Sequence, residues 1–237
     1  MNGRQPYFVA MDFDGTIAAT FEPSPRGMNV NSASANAIAT IFGEIGIEMY
    51  DKLGGLKNRE PGELIKLLQN AIGMHDQSAN TLTELYVQQK LSYLTPEIST
   101  IWPRIYPGAK EFFQLAHRGE LPIDIAIISS GHDSFIQSVF EINGIPLPNI
   151  LVTSDILRSR KMLDRERYKP HPYQLAEAHK QWQRGRENVE TYIGKTHGKT
   201  NMAYMGDDPI KDGGACRTSS HTIFICTVYE TWLCSIS

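Results

Sequence analysis

The sequence predicts an α/β fold, a doubly wound parallel sheet with an inserted helical domain. Five short apolar runs each end abruptly in polar residues or glycine, at 7–11, 123–128, 150–152, 202–205 and 223–226. Largely continuous apolar runs of this length are typical of strands that are buried on both faces, as in a parallel sheet. Helical patterns separate the runs, and strand–helix alternation of this kind favours the doubly wound arrangement.

Apolar residues at helical spacing, together with prolines and glycines at the ends of the segments, predict the helices. The predicted helical segments are 31–42, 61–72, 82–93, one that begins at Pro107-Gly108, 133–142 and 172–182. Most of the long stretch after the first strand has little strand character. We therefore expect residues 18–106 to form a helical cap domain, and residues 1–17 and 107–237 to form the α/β core.

The composition excludes several classes of protein. Hydrophobic residues make up 41% of the 237 residues and charged residues 21%, which argues against disorder and coiled coil. With 23 Lys and Arg against 26 Asp and Glu, the net charge of −3 offers no basis for binding nucleic acid or an anionic membrane. No run approaches about 18 apolar residues, and the N-terminus lacks the pattern of a signal peptide. We expect a globular cytoplasmic protein.

The cysteines and histidines show no metal-binding or disulfide pattern. Cys216, Cys226 and Cys234 are odd in number and lack CxxC spacing, which favours reduced thiols over a disulfide framework. The histidines show no HxH or HExxH spacing, so the sequence does not support a zinc centre.

Asp12 and Asp14 follow the first predicted strand in the string VAMDFDGTI. Two positions apart on an extended chain, their side chains point to the same side, and Gly15 then allows a sharp turn. Two carboxylates so close require a cation or a shared proton, so the pair suits a divalent metal and acid/base chemistry. A solvated surface turn is the alternative. A calcium loop fails on spacing, because its sixth position would be Ile17 and its twelfth Pro23.

Two further segments carry residues that could bind an anion. The second predicted strand ends in Ser129 and Ser130, and Gly131 turns the chain into the next helix. A hydroxyl beside N–H groups at a helix N-terminus forms an anion pocket, although serine is also an ordinary helix cap. Lys169 lies in the string RYKPHPYQ, where the prolines on either side of His171 stiffen the approach to a helix. That setting would hold the lysine in place, although most lysines are solvated surface charges.

Three acidic residues, Asp207, Asp208 and Asp212, follow the fourth predicted strand behind a glycine turn. Oxygen ligands in this pattern suit a hard metal ion, and a solvated loop is the alternative. All of the candidate residues except Lys169 come at the carboxyl ends of predicted parallel strands, where open α/β sheets bind their ligands. The lysine lies at the entry to a helix on the same rim, so the sequence predicts one site at this edge.

The chain resembles the haloacid dehalogenase-like hydrolase superfamily, whose four motifs occur here in the family's order. They are DFDGT from Asp12, the strand ending in Ser129, the KPHP string of Lys169 and GDDPIKD from Gly206. The resemblance spans nearly the whole chain. The helical block occupies the position of the family's cap domain, between the first two motifs.

The resemblance implies a role for each motif residue. Asp12 would be the nucleophile and Asp14 the general acid/base, while Ser129 and Lys169 would hold the transferring phosphoryl group. The implied ligands of Mg²⁺ are all aspartates: Asp12, Asp14 through its backbone carbonyl, Asp207, and either Asp208 or Asp212 in support. The candidate substrate-binding residues lie in the same motifs: Thr16, Ser130 and Gly131.

These roles imply a Mg²⁺-dependent phosphomonoester hydrolase that acts on a small phosphorylated metabolite through an aspartyl-phosphate, without nucleic-acid or membrane partners. Family members that act on carbon–halogen bonds share only the first aspartate, so Asp14 favours phosphoester chemistry. A phosphomutase is the alternative enzyme, although residues 18–22 lack the cap-entry histidine of the sugar phosphomutases. A non-catalytic protein that binds a phosphorylated ligand is a second alternative. The string GKTHGKT is not a P-loop, because three residues instead of four separate its glycines.

The string GGLKNRE at 54–60 contains two glycines and a close pair of cations, Lys57 and Arg59. A mobile loop with anion-binding side chains is what a lid needs in order to close over a phosphorylated substrate and exclude water. Arg59, together with Lys57, is therefore predicted to contact the substrate beyond its transferring phosphate. The alternative is a solvated basic turn ahead of the helix that begins at Pro61.

Overall fold

The computed structural model describes residues 7–55, 60–94, 102–159, 169, 171–190, 202–217 and 222–226. The chain divides into two compact units, Thr20–Pro103 and the combination of Met1–Ala19 with Arg104–Ser237. The helical unit contains α1 (Val30–Lys52), α2 (Pro61–Ile72) and α3 (Ala79–Tyr93). The strands of the α/β unit are β1 (Tyr7–Met11), β2 (Ile123–Ser129), β3 (Ile150–Thr153), β4 (Met202–Gly206) and β5 (Thr222–Cys226). Its helices are α4 (Ala109–His117), α5 (Asp133–Ile142), α6 (Ser154–Ser159), α7 (Tyr173–Glu190) and α8 (Lys211–Arg217).

The strands form one parallel sheet in the order β3-β2-β1-β4-β5. Ala10 at the centre of β1 pairs with Ala126 of β2 on one side and with Tyr204 of β4 on the other. The order reverses at β1, because the chain first adds β2 and β3 on one side and later adds β4 and β5 on the other. Ligands of open α/β sheets bind at such a switch point, outside the carboxyl ends of the strands.

Helices cover both faces of the sheet. Successive strand residues point to opposite sides, so each strand contributes side chains to both layers. On one face, Phe8 of β1 and Ile128 of β2 pack into a buried cluster with Trp182 of α7. Away from this cluster, Phe113 of α4 lies edge-on against Phe140 of α5, with ring centroids 5.1 Å apart. Burial on both faces explains why the strands read as continuous apolar runs.

The helical unit has an apolar core of its own. Asn29 caps α1 by accepting the N–H of Ser32, whose hydroxyl accepts the Asn29 N–H in return. Pro61 begins α2, and Gly73 ends it in the left-handed conformation. The buried residues of the three helices form one cluster: Ala37, Ile38, Phe42, Tyr50, Leu64, Ile65, Leu68, Leu82, Tyr86 and Val87.

The predicted fold class is confirmed, and each predicted strand matches an observed strand to within one residue. The helix predicted over 31–42 differs, because helical structure resumes after Gly43 and continues to Lys52. Gly43 itself has φ 68° and ψ −162°, which are not helical values. Helices α6 and α8 were not predicted, since six or seven residues are too few to show an apolar repeat. The helical unit begins after Ala19 and ends before Arg104. The span expected from the sequence was residues 18–106.

Two other expectations concerned the cysteines and membrane-spanning segments. Cys216 is an unpaired buried thiol, whereas the side chain of Cys226 and the whole of Cys234 lie outside the described residues. In the described part of the chain, no helix combines the length and the apolar character that crossing a bilayer requires.

Gly43→Ala should lower the free energy of unfolding by about 1–3 kcal/mol, because other residues rarely adopt the backbone conformation of Gly43. Crowding is not the cause, since a Cβ at this position would have no heavy atom within 4 Å. Gly185 in α7 has the same open space without a positive φ, so Gly185→Ala should instead raise stability by about 0.4–1 kcal/mol. Urea unfolding of the wild type and the two variants measures whether the free energy of unfolding falls in Gly43→Ala and rises in Gly185→Ala. Equal shifts in the two variants would contradict the strain assigned to Gly43.

Candidate active site

The carboxyl end of β1 places two carboxylates at the switch point of the sheet. The N–H of Asp12 donates to the Met205 carbonyl at 2.8 Å, which extends the pairing with β4 beyond the strand. Gly15 has φ 75°, and the turn that follows is closed by hydrogen bonds to the Phe13 carbonyl. Asp12 is buried and Asp14 is half-buried. A strand end followed by a glycine turn thus carries both acids at the edge of the sheet.

The carboxyl end of β4 leads into α8 through a turn that Asp208 stabilises. Its Oδ1 accepts the N–H groups of Ile210 at 2.8 Å and Lys211 at 2.9 Å. The Asp208 carbonyl accepts the N–H of Asp212 at 2.8 Å, and Asp212 Oδ2 accepts the N–H of Asp208 at 3.1 Å. Asp208 therefore holds the start of α8, while Asp212 in the first turn of that helix returns to the end of β4.

Gly206 leaves the space that Asp212 needs beside β4. A Cβ at position 206 would lie 2.7 Å from the Asp212 Cβ and would overlap the Asp212 carboxylate. Real Cβ atoms do not approach so closely, so any side chain at this position would displace Asp212.

Asp12, Asp207 and Asp212 form a group that could hold a metal ion. Each offers one carboxylate oxygen, and the three oxygens lie within 4.8 Å of one another. Asp12 and Asp212 are buried and Asp207 is half-buried. Carboxylate oxygens are the ligands that hard divalent cations take in proteins. Among the described residues, this group does not include the side chains of Asp14 and Asp208.

Lys169 contacts this acidic group from a position just ahead of α7. Its Nζ lies 2.6 Å from Asp12 Oδ1, 2.6 Å from Asp212 Oδ1 and 2.8 Å from the Tyr204 hydroxyl. An ammonium has three protons to donate, so each proton has an acceptor. The Tyr204 hydroxyl donates in turn to Asp212 Oδ1 at 3.0 Å. The lysine side chain is only 4% exposed, which makes it a fixed buried cation and not a solvated surface charge.

The electrostatics of the site reflect burial and crowded negative charge. Burial raises the pKa of Asp12 to about 8 despite the attraction of Lys169, and the Asp212 and Asp14 carboxylates add to the rise. Burial, with the Asp212 carboxylate, also raises the pKa of Asp207 to about 6. Burial alone would lower the pKa of Lys169, but Asp12, Tyr204 and Asp212 together hold it well above its usual range. A cation beside Asp12 and Asp207 would favour their ionised forms and lower these two pKa values again.

The carboxyl end of β2 lies beside Asp14. Ser129 is fully buried, and its Oγ accepts the N–H of Gly131 at 2.9 Å. A Cβ on Gly131 would lie 3.1 Å from Ser129 Oγ and 3.2 Å from Asp14 Oδ2. The serine hydroxyl, the glycine and the second aspartate therefore come together, as expected of neighbouring parallel strands.

Two of the remaining residues proposed from the sequence lie next to the site, and two lie outside the described residues. Thr16 is buried in the turn after Asp14, and Ser130 is half-buried beside Ser129. Lys57 and Arg59 lie outside the described residues, so their contact with a substrate stays a prediction.

Tyr204 is a member of the site that sequence reasoning missed. On β4 it alternates with less buried positions, as a core aromatic residue would, and it is 1% exposed. Its only distinguishing signal was a hydroxyl on an otherwise apolar strand. Burial raises the pKa of that hydroxyl well above its usual range, so it remains protonated and can donate to Asp212.

The comparisons with known proteins identify the fold. Protein-family models gave no match to the chain. Curated protein sequences gave no match either. Solved structures do match, and the chain has the fold of the haloacid dehalogenase-like hydrolases.

Three solved structures illustrate the match. The structure of CbbY from Rhodobacter sphaeroides in complex with phosphate has a TM-score of 0.55 at 14% identity, covering 94% of this chain and 88% of that chain. A predicted phosphoglycolate phosphatase from Haemophilus somnus 129PT has a TM-score of 0.52 at 13% identity, covering 96% and 88%. A hydrolase from Pseudomonas syringae has a TM-score of 0.51 at 18% identity, covering 94% and 84%. At these identities the likeness is one of fold.

The affinity of the acidic group for a divalent cation, titrated with Mg²⁺ as the probe, should rise as the pH is raised from 6 to 8 and level off above. Binding requires ionised carboxylates, and the pKa values of Asp207 and Asp12 are about 6 and about 8. Each proton that must leave can change the affinity by up to about tenfold per pH unit below its pKa. Calorimetric titration at several pH values measures this rise. A constant affinity over this range would contradict it, and Asp12→Asn should abolish the part of the rise near pH 8.

Gly206→Ala should weaken the binding of a divalent cation, again titrated with Mg²⁺, by about tenfold or more, because displacing Asp212 removes one member of the acidic group. The same titration measures the loss. Gly185→Ala is the matched control, since a Cβ there meets no atom within 4 Å, and it should bind Mg²⁺ like the wild type. Unchanged binding by Gly206→Ala would show that Asp212 is not needed for the ion.

Proposed function

We propose that this chain is a Mg²⁺-dependent hydrolase of phosphomonoesters, which acts on a small phosphorylated metabolite through an aspartyl-phosphate at Asp12. The observation that carries the proposal is the position of Lys169, 2.6 Å from both Asp12 and Asp212 within the acidic group. A carboxylate nucleophile, a fixed ammonium and ligands for a cation are thereby assembled at one point. Phosphoryl transfer depends on that combination, because its catalysis rests mainly on positioning and charge stabilisation.

Asp12, Asp207 and Asp212 are the residues that would hold Mg²⁺. Their three oxygens suit a hard cation. Burial raises the pKa values of Asp12 and Asp207, the Asp212 carboxylate raises both further, and a cation would offset that crowded negative charge. When bound, Mg²⁺ would neutralise charge on the phosphate ester and so reduce its repulsion from a carboxylate nucleophile.

Asp12 supplies the nucleophile in the first step. One of its carboxylate oxygens attacks phosphorus, so that a new oxygen–phosphorus bond forms while the bond to the leaving alcohol oxygen breaks. Lys169 places positive charge beside the attacking carboxylate, where negative charge builds up in the transition state. The Ser129 hydroxyl and the N–H groups that begin α5 are the donors available to the phosphoryl oxygens.

Asp14 moves the protons in both steps. Protonated Asp14 first gives its proton to the leaving alcohol oxygen. Its carboxylate then takes a proton from a water molecule that attacks phosphorus, and inorganic phosphate leaves as the bond to Asp12 breaks. The position of Asp14 Oδ2 beside Gly131 and Ser129 supports this assignment. Proton transfer of this kind typically contributes about 10²–10⁴-fold to the rate.

The descriptions of two proteins with the same fold support a phosphate ester as the substrate of this chain. One was solved in complex with phosphate, and the other is described as a predicted phosphoglycolate phosphatase. The site of this chain suits the same class of substrate, because it combines buried carboxylates with the buried ammonium of Lys169.

Hydrolysis of an aryl phosphate, measured as release of inorganic phosphate, should require Mg²⁺ and should fall about 10³-fold or more in Asp12→Asn, because an amide is a poor nucleophile. Asp76→Asn is the matched control. It makes the same chemical change at an exposed aspartate in the helical unit, and it should keep the turnover of the wild type.

The other outcomes of this experiment separate the alternatives. Hydrolysis that survives both excess chelator and Asp12→Asn would contradict the covalent, metal-assisted mechanism. Activity that appears only with a bisphosphate activator would indicate a phosphomutase. A protein that binds phosphate without any turnover would indicate a non-catalytic role. A screen of phosphorylated metabolites would then identify the substrate.

A further inference from the structure

The loop that follows β2 is held by side chains that follow β3. The Ser154 hydroxyl shares its one proton between the carbonyls of Ser130 at 3.0 Å and Gly131 at 3.2 Å. Asp155 Oδ2 lies 2.9 Å from Nδ1 of His132, the residue that precedes α5. Three consecutive loop residues, 130–132, are thus bound to two consecutive residues of α6. We call Ser154 and Asp155 the brace.

The register of the sheet explains why the brace meets this loop. Strands β2 and β3 are parallel neighbours, and their last paired residues are Ser129 and Thr153. The residues that follow the two strands therefore lie side by side. Because α6 begins directly at Ser154, its first residues stay next to the loop instead of leaving the edge of the sheet.

The hydrogen bonds of Ser154 fix the direction of the loop N–H groups. In a trans peptide the C=O of one residue and the N–H of the next point in opposite directions. Holding the carbonyls of Ser130 and Gly131 therefore directs the N–H groups of Gly131 and His132 away from Ser154. The Gly131 N–H accordingly reaches Ser129 Oγ at 2.9 Å. Backbone N–H groups held on one side of a loop, with the Ser129 hydroxyl beside them, can form a site for an anion.

The bond between Asp155 and His132 fixes the entry to α5. His132 is 6% exposed and makes no side-chain capping bond to that helix, so its ring is oriented from outside. Burial opposes ionisation of Asp155, but the hydrogen bond and charge of His132, together with the nearby Arg158 and a hydrogen bond from Asp133, lower the pKa of this carboxylate overall. An ionised acceptor makes the bond charge-assisted, which roughly doubles the strength of such an interaction.

We propose that Ser154 and Asp155 are positioning residues that set the affinity of the loop at 129–132 for the transferring phosphoryl group. This inference rests on the proposed function, since it assumes that the loop binds phosphate. Neither residue belongs to the four motifs, and both act through the backbone and the ring that they hold. The brace acts on the β2 side of the sheet, whereas the acidic group lies on β1, β4 and α8.

The test compares the affinity of Ser154→Ala for inorganic phosphate with its affinity for Mg²⁺. In the presence of Mg²⁺, phosphate should inhibit aryl phosphate hydrolysis about tenfold more weakly than in the wild type, and KM should rise in parallel, as is typical when a group that orients a ligand contact is removed. Mg²⁺ affinity, titrated without phosphate, should stay unchanged. Ser154→Thr keeps the hydroxyl and should restore most of the phosphate affinity.

Ser138→Ala is the matched control. The Ser138 hydroxyl also donates to a backbone carbonyl, that of Ser134, but within α5 and away from the loop. This variant should keep the phosphate affinity of the wild type. If Ser154→Ala does not unfold cooperatively, Asp155→Asn decides instead. It keeps an acceptor for His132 without the charge, so phosphate should bind about threefold more weakly.

Three results would overturn the proposal. One is wild-type phosphate affinity in a folded Ser154→Ala or in Asp155→Asn. Another is a parallel loss of phosphate and Mg²⁺ affinity, which would indicate general loosening of the structure. The third is a wild-type protein that neither binds phosphate nor hydrolyses the aryl ester. Only this third result also refutes the proposed function, so the two failures are distinguishable.

Discussion

The burial of several carboxylates around one ammonium is the constraint on which the rest of this structure depends. Asp12 and Asp212 come from opposite ends of the chain, yet both lie 2.6 Å from Lys169 Nζ. Removing such charges from water is costly unless the geometry is well defined and the remaining lone pairs and protons are satisfied. Three features supply that geometry: the pairing of β1 with β4, the turn held by Asp208, and the Tyr204 hydroxyl, which contacts Lys169 and Asp212.

Two glycines allow side chains of the site to lie directly against the backbone, one beside the acidic group and the other in the loop after β2. Gly206 admits the Asp212 carboxylate against β4, and Gly131 lies against Ser129 Oγ and Asp14 Oδ2. Neither glycine has a positive φ, so these positions are constrained by the space for a neighbour and not by the backbone conformation. Gly15 shows the other use of glycine, because its φ of 75° makes the turn that follows Asp12 and Asp14.

Much of this arrangement could be predicted, because in a parallel sheet the residue after each apolar run falls at a common edge. Asp12, Ser129 and Asp207 were placed there on that ground alone. Spacing could not decide between Asp208 and Asp212, since the choice depends on which carboxylate caps the turn into α8 and which returns to β4. Tyr204 was missed because a buried tyrosine and a core phenylalanine give a strand the same pattern. The brace depends on a helix of six residues, too short for any periodicity.

The order of the strands separates the residues proposed to bind a cation from the residues proposed to bind an anion. The acidic group draws on β1, β4 and the helix after β4, whereas the loop at 129–132 draws on β2, β3 and the helix after β3. The two sets come together at β1, where Asp12 contacts Lys169 and Asp14 lies beside Gly131. A phosphoryl group held by the loop and a cation held by the acids would therefore approach each other over the turn of Asp12 and Asp14. That turn carries the two carboxylates to which the proposed chemistry assigns attack on phosphorus and transfer of the proton.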